Sequence, residues 1–209
     1  MNNLQLGKRN QLKVLREKDH GVYLEGGDIG DILLPKRYVP QGTKVGDILD
    51  VFLYLDQEER LIATTEHPLI EVGQFAYLEC TWTNEYGAYL NWGLMKDLFC
   101  PFREQKQRME RGQRYYVYVM EDEKTHRLMA TSKVERYQKK TGYELSLDFA
   151  EVLLAYLQEH DGQCELGDKS PSEAIAARFG VSKKVYKKAV GDLYKRHLIT
   201  ISDEGIRLA

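Results

Sequence analysis

The sequence is poor in cysteine and has no long apolar run. Its three cysteines, Cys80, Cys100 and Cys164, are odd in number and far apart, which argues against a disulfide framework or a zinc site. No apolar stretch approaches the ~18 residues of a membrane span, and residues 1–12 are too polar for a signal peptide. We therefore expect a cytoplasmic protein of a reducing compartment, without a membrane partner.

A strong net charge is also missing, because 30 basic and 32 acidic residues leave a formal charge of −2. Any contact with nucleic acid must then come from a local basic patch rather than from the field of the whole molecule. The sequence has no P-loop, H-E-x-x-H, G-x-S-x-G or CxxC motif, and its five histidines are scattered. These absences predict a protein that is not an enzyme and has no cofactor and no metal site.

What the sequence does contain is an internal repeat. Residues 7–65 repeat the stretch 73–136: identities line up at an offset of 66 positions as far as Val51 and Val117, and resume after one inserted residue with Arg60 and Arg127. The identical pairs include Gly7 with Gly73, Gly21 with Gly87, Tyr23 with Tyr89, Leu24 with Leu90, Asp31 with Asp97 and Pro35 with Pro101. This period exceeds the ~20–50 residues of a solenoid unit, so each copy should be a small domain of its own.

Each copy has the pattern of short strands separated by turns. In the second copy, a strand-forming run at 75–82 is followed by the turn Asn84-Glu85-Tyr86-Gly87 and a return strand at 88–92. A third strand stops at Pro101, and strands at 115–120 and 127–132 complete the copy. Five strands in about sixty residues are typical of a small closed OB-fold barrel.

The second copy contains the motifs Gly73-x-Phe75, Tyr86-Gly87-Ala88-Tyr89-Leu90 and Asp97-Leu98-Phe99. In these motifs it resembles the S1 RNA-binding domain. The resemblance implies that the aromatic residue before the hairpin glycine and the aromatic residue two positions after it face RNA. These residues are Tyr86 and Tyr89 in the second copy, and His20 and Tyr23 in the first.

The resemblance also implies a missing contact in each barrel. The RNA-facing histidine of the family's third strand corresponds to Cys100 in the second copy and to Leu34 in the first. Side-chain alternation along the return strand sorts the other aromatic residues: Trp92 is expected in the core, whereas Tyr89 points outward. Trp82 aligns with an outward position, and both a core role and a stacking role remain open for it.

Basic residues of the first copy are further candidates for RNA contacts. Lys13 and Arg16 lie on the first strand and are expected on the side of Tyr23, and Lys36 and Arg37 follow the third strand. For each residue taken alone, an ordinary solvated surface charge is the simpler interpretation.

The C-terminal part changes to a helical period. Apolar residues between 149 and 157 recur at helical spacing, and Ser170-Pro171-Ser172-Glu173 has the pattern of a helix start with Ser170 as the capping residue. A helix at 183–197 capped by Ser182, followed by a hairpin, completes a winged-helix pattern. We therefore expect a multidomain chain in which two all-β S1-like OB-fold barrels (1–67 and 68–137), a linker (138–147) and a small α+β winged-helix domain (148–209) follow one another.

The third helix of this unit is rich in lysine. Lys183 and Lys184 lie in its first turn, where the helix dipole disfavours cations by ~0.3–1 kcal/mol each, and Lys187 and Lys188 follow in the next turn. An anionic partner would explain this arrangement. A solvated lysine face opposite the core stripe is the alternative interpretation.

Two S1-like copies followed by this winged helix resemble the conserved virulence factor B family of bacterial RNA-binding regulators. The segments that carry the resemblance are 72–78, 92–99, 168–171, 179–184 and 191–195. The family commonly has a third S1-like barrel before the winged helix, and only about ten residues take that place here. The resemblance implies that the last barrel and the winged helix cooperate in RNA binding.

The leading hypothesis is a non-catalytic protein that binds single-stranded RNA and regulates gene expression after transcription. Barrel tyrosines would stack with bases, and the lysines of the third helix would neutralise phosphates. One alternative is a DNA-binding transcription regulator that uses the winged helix. Another is a protein–protein adaptor, for which protein partners would replace RNA.

Overall fold

The computed structural model describes residues 4–137 and 145–209 and confirms two barrel-like β-sheets followed by a winged helix. The strands of the first barrel are β1 (Arg9–Lys18), β2 (Gly21–Leu24), β3 (Ile32–Pro35), β4 (Ile48–Leu55) and β5 (Leu61–Thr64). They close in the order β1-β2-β3-β5-β4. All pairs are antiparallel except β3 with β5, so the barrel has the topology that the strand pattern predicts.

The second copy repeats this topology. Its strands are β6 (Phe75–Thr83), β7 (Gly87–Leu90), β8 (Leu98–Pro101), β9 (Arg114–Glu121) and β10 (Leu128–Thr131). They form a sheet of order β10-β9-β6-β7-β8, in which the outer strands β8 and β10 lie side by side. No ladder of backbone hydrogen bonds joins β8 to β10, so the second sheet is barrel-like rather than fully closed.

Both copies need glycine at the first residue of their second strand, because two strands approach closely there. A Cβ atom at Gly21 would overlap the carbonyl oxygen of Leu34, and one at Gly87 would overlap that of Cys100. Only glycine allows β2 and β7 to pair this closely with β3 and β8.

The two barrels share buried contacts. Phe52 and Tyr54 of β4 pack into the core of the second barrel, where the Phe52 ring meets Trp92 edge-on at 5.7 Å. Ile70, in the short connection between the copies, is buried in the same cluster. The barrels are therefore in direct contact along this side.

The winged helix comprises three helices and three strands. They are α1 (Leu145–Glu159), β11 (Gln163–Cys164), α2 (Ser172–Phe179), α3 (Lys183–Lys195), β12 (Ile199–Ser202) and β13 (Gly205–Leu208). Helix α1 starts three residues before the predicted boundary, and the rest of the predicted linker lies outside the described residues. None of the helices in residues 4–137 and 145–209 is both long and apolar enough to cross a membrane.

The predicted cap of α2 is wrong, whereas that of α3 is confirmed. The N-cap position of α2 is Pro171, which offers no side-chain cap. Ser170 instead accepts a hydrogen bond from the backbone of Gly167 at 2.9 Å, so its hydroxyl holds the preceding loop. Ser182 accepts a hydrogen bond from the backbone N–H of Val185 and caps α3.

An aromatic seam joins the second barrel to the winged helix. Phe75 and Tyr116 of the barrel belong to the same buried cluster as Phe149, Phe179 and Tyr186 of the winged helix. The ring of Tyr116 lies 6.0 Å from that of Phe75 and 6.3 Å from that of Phe149. The two units therefore have a continuous hydrophobic core.

Candidate nucleic-acid interface

A β-bulge in β6 positions the first part of the candidate site. The register of β6 against β7 shifts between Cys80 and Trp82, which places Trp82 opposite Tyr89. Bulges redirect side chains in this way. The two rings stack at a centroid distance of 4.0 Å and an interplanar angle of 9°. Trp82 remains 45% exposed, which favours the stacking role for it.

The hairpin between β6 and β7 presents Tyr86 beside this pair. The Asn84 side chain accepts hydrogen bonds from the backbone N–H groups of Tyr86 and Gly87, at 2.9 and 3.1 Å. It also donates to the Tyr89 hydroxyl at 3.2 Å. Tyr86 is thereby held on an ordered turn with 66% of its surface exposed.

The outward side chain of β8 is Phe99 rather than Cys100. Cys100 is fully buried, and burial raises the pKa of its thiol to about 12. Phe99 lies half-buried with its ring 5.0 Å from that of Tyr89. Its counterpart in the first barrel is Leu33, which is half-buried, whereas Leu34 is fully buried. Cys100 therefore makes no contact in place of the family's histidine, and the alternation from buried Leu98 puts Phe99 on the face instead.

Trp82, Tyr86, Tyr89 and Phe99, which we call the aromatic platform, line one side of a cleft of about 830 Å³. The β4–β5 turn of the first barrel and the β9–β10 hairpin of the second provide other walls. Trp92, as expected, is core, with 3% of its surface exposed and its indole N–H donated to the carbonyl of Lys96 at 2.6 Å.

Three cations line the cleft: Lys96, Arg103 and Arg127. Lys96 Nζ donates to the carbonyl of Asp56 at 2.6 Å and lies 3.5 Å from a carboxylate oxygen of Glu59. Arg103 pairs with Asp122 at 2.7 Å. Sequence reasoning did not select Lys96 and Arg127 for the site, because the β4–β5 turn and the cleft meet only through the packing of one barrel on the other.

The equivalent face of the first barrel is smaller and more polar. His20 and Tyr23 meet edge-on at 5.7 Å, and the His20 ring shares a 2.8 Å hydrogen bond with the Tyr23 hydroxyl. Arg16 occupies the position of Trp82, and its guanidinium lies 4.2 Å above the Tyr23 ring and 2.8 Å from Asp31. The structure therefore joins three predicted residues here, but their polar groups are already partnered.

The other predicted basic residues of the first barrel do not join this face. Lys13 is exposed on β1, opposite Ile48 of β4, and no contact links it to Tyr23 among the described residues. Lys36 is exposed. Arg37 lies over the Tyr38 ring and donates to the sulfur of Met95 at 3.1 Å, so it contacts the second barrel.

The predicted lysines of the winged helix lie on or beside the exposed surface of α3. Lys184, Lys187 and Lys188 are exposed, whereas Lys183 is half-buried and donates to the carbonyl of Lys169 at 3.3 Å. Lys187 lies 3.9 Å from Asp168. The opposite side of α3 is buried through Tyr186, Ala189, Val190 and Leu193, so the helix has one apolar and one basic side.

Two protein-family models match the chain. The S1 domain model matches residues 6–66, and the CvfB-like winged helix domain model matches residues 151–208. They cover the first barrel and nearly all of the winged helix.

Several curated proteins align along most of the chain. YitL of Bacillus subtilis is 23% identical over 265 residues, covering 90% of this chain and 89% of that protein. Conserved virulence factor B of Staphylococcus epidermidis is 26% identical over 215 residues, covering 94% of this chain and 69% of that protein. The alignment with YitL is longer than the 209 residues of this chain, so YitL has residues without a counterpart here.

One solved structure has a related fold. A multidomain protein with nucleic acid binding domains from Streptococcus pneumoniae superposes with a TM-score of 0.53 at 19% identity. The match covers 98% of both chains, so the related fold extends over nearly the whole chain.

Proposed function

This chain belongs to the conserved virulence factor B family, and on that premise we propose that it is a non-catalytic protein that binds single-stranded RNA. It regulates gene expression after transcription, in the cytoplasm. The supporting comparisons are the S1 and winged-helix domain matches, which identify families of nucleic-acid-binding domains rather than of enzymes.

The observation that carries this proposal is the aromatic platform. Trp82 and Tyr89 already stack on each other, and Tyr86 extends the set with an open ring face. Stacking on protein aromatic rings is worth about 1–3 kcal/mol per base and requires bases that are free of a duplex. A single strand satisfies this requirement, whereas a paired duplex does not.

The lysine side of α3 provides a second contact for the same strand or for a neighbouring segment. Its exposed cations neutralise phosphates without reading sequence, and their counterions are released on binding. Binding should therefore weaken as salt concentration rises.

The test is a fluorescence-polarisation titration of the full chain with a short labelled oligouridylate at two salt concentrations. We expect Tyr86→Ala to weaken binding by roughly 5- to 150-fold, which is the free energy of one stacked base. His20→Ala, the equivalent change in the first barrel, should have a smaller effect, because the partner of His20, Tyr23, is already covered by Arg16. Circular dichroism serves as the control that both variants are folded.

Two results would contradict this function. If Tyr86→Ala binds the oligonucleotide as tightly as the parent protein, the platform is not the RNA site. If duplex DNA binds more tightly than the single strand, and Lys184→Ala abolishes that binding, the winged helix acts as a DNA-binding module instead.

A further inference from the structure

We propose that Glu59 of the first barrel occupies a phosphate-binding subsite in the RNA cleft, and that an RNA phosphate must displace it. This inference rests on the proposed function and extends it, because it assigns the backbone of the strand to cations at the contact between the two barrels. Glu59 thus acts as an internal competitor that weakens RNA binding.

The geometry around Glu59 is that of a bound anion. One carboxylate oxygen lies 3.5 Å from Lys96 Nζ, and the other lies 3.2 Å from Arg127 Nε. All three residues line the same cleft as the aromatic platform. Lysine and arginine that converge on one oxyanion are the usual partners of a phosphate group.

The carboxylate of Glu59 is free to leave, since no third group holds it in the part of the chain that the structure describes. Its side chain is 37% exposed, and among the described residues it accepts hydrogen bonds or ion pairs from these two cations alone. Exposed ion pairs of this kind are weak, so an RNA phosphodiester, which carries one negative charge as the carboxylate does, replaces it at little cost.

The other acid that pairs with a cation of the cleft is held firmly in place. Asp122, the partner of Arg103, also accepts hydrogen bonds from the backbone of Lys124 and from the backbone and hydroxyl of Thr125. The bonds from Thr125 lower the pKa of the Asp122 carboxyl below its usual range. Asp122 is thus a structural group of its turn, whereas Glu59 is not.

The β4–β5 turn holds Glu59 in an unfavourable backbone conformation. Asp56 Oδ1 accepts hydrogen bonds from the backbone N–H groups of Glu58 and Arg60, which shapes the turn. Glu59 then has φ 61°, a left-handed conformation that favours glycine or asparagine. Backbone strain of this kind concentrates at functional positions.

The second copy has a related turn, one residue longer, with a different residue at the position of positive φ. Asp122 takes the role of Asp56, and His126 has φ 55°. His126 faces Glu121 of its own hairpin at 2.7 Å and does not line the cleft. Of the two equivalent turns, that of the first copy carries a carboxylate at the position of positive φ, and this turn lines the cleft beside the aromatic platform.

Glu59→Gln tests the inference, with Glu58→Gln as the matched control. Both changes remove one negative charge from the same turn, but Glu58 pairs with Arg60 at 2.8 Å and is not among the residues that line the cleft. In the polarisation titration at low salt, we expect Glu59→Gln to bind the oligouridylate roughly 2- to 10-fold more tightly than Glu58→Gln does. The difference should shrink as salt screens the exposed pairs.

Arg127→Gln supplies a second, opposite readout. Loss of one phosphate-binding cation should weaken binding and lower the slope of log K against log salt by about one. If Glu59→Gln binds no more tightly than Glu58→Gln, or if Arg127→Gln leaves the salt slope unchanged, the subsite is wrong. That result, together with weaker binding by Tyr86→Ala, overturns this inference alone, whereas an unaffected Tyr86→Ala overturns the proposed function.

Discussion

At the scale of single residues, the direction of a side chain decides its role more than its place in a motif does. Matching the third strand to the S1 pattern selected Cys100, which is fully buried, and passed over its neighbour Phe99. The alternation of burial along β8, with Leu98 and Cys100 inward, identifies Phe99 as the outward residue. The same rule applied to the predicted return strand at 88–92 placed Trp92 correctly in the core.

We expect Phe99→Ala to weaken RNA binding, because Phe99 supports the ring of Tyr89 at 5.0 Å and lines the cleft. An aromatic pair contributes about 0.5–1.5 kcal/mol beyond the area it buries, so Kd should rise roughly 2- to 12-fold. Polarisation titration measures the change.

Leu33→Ala is the control, since Leu33 holds the equivalent outward position of the first barrel. Equal losses of affinity for the two variants would show that the platform of the second barrel has no special part in binding.

At the scale of secondary-structure elements, local patterns gave most of the fold. Alternating strands, glycine turns and the helical period after residue 148 predicted two barrels and a winged helix, and the structure confirms them. The residue that caps a helix is harder to predict, because a serine side chain hydrogen-bonds to whichever backbone group lies nearest. Ser182 caps α3, whereas Ser170 binds the loop before α2.

We expect Ser182→Ala to destabilise the chain by about 0.5–1 kcal/mol, since an N-cap hydrogen bond is lost and this one is long at 3.4 Å. Ser172→Ala should change the free energy of unfolding by less than about 0.5 kcal/mol, because within residues 4–137 and 145–209 the Ser172 hydroxyl hydrogen-bonds only to the adjacent Glu173. Urea denaturation followed by circular dichroism compares the two. A Ser182→Ala variant as stable as Ser172→Ala would mean that the cap contributes nothing.

At the scale of the whole molecule, the sequence did not reveal which surfaces of the barrels meet other units. Phe75 and Tyr116 have the strand pattern of any barrel residue, yet they pack against the winged helix. Their counterparts in the first copy are Arg9 and Asp50, which form an exposed ion pair at 2.7 Å. Comparing the two copies position by position is the signal that would have found this surface, because only the second copy is aromatic there.

The continuous core between the second barrel and the winged helix implies that the two unfold together. We expect calorimetry of the parent chain to show one transition for these units. Tyr116→Ala should lower their stability by about 3–5 kcal/mol, because a fully buried ring between Phe75 and Phe149 is replaced by a cavity.

Trp82→Ala is the control for the loss of an aromatic ring, since Trp82 lies on the exposed aromatic platform, outside the buried cluster of the seam, and its loss should cost far less stability. If Tyr116→Ala proves too unstable to purify, Tyr77→Phe tests the same contact more gently. It removes the hydroxyl that donates to the carbonyl of Arg178 at 3.4 Å across the seam, and should cost at most about 1 kcal/mol. Two separate transitions for the second barrel and the winged helix of the parent chain would contradict a shared core, because the two units would then unfold independently.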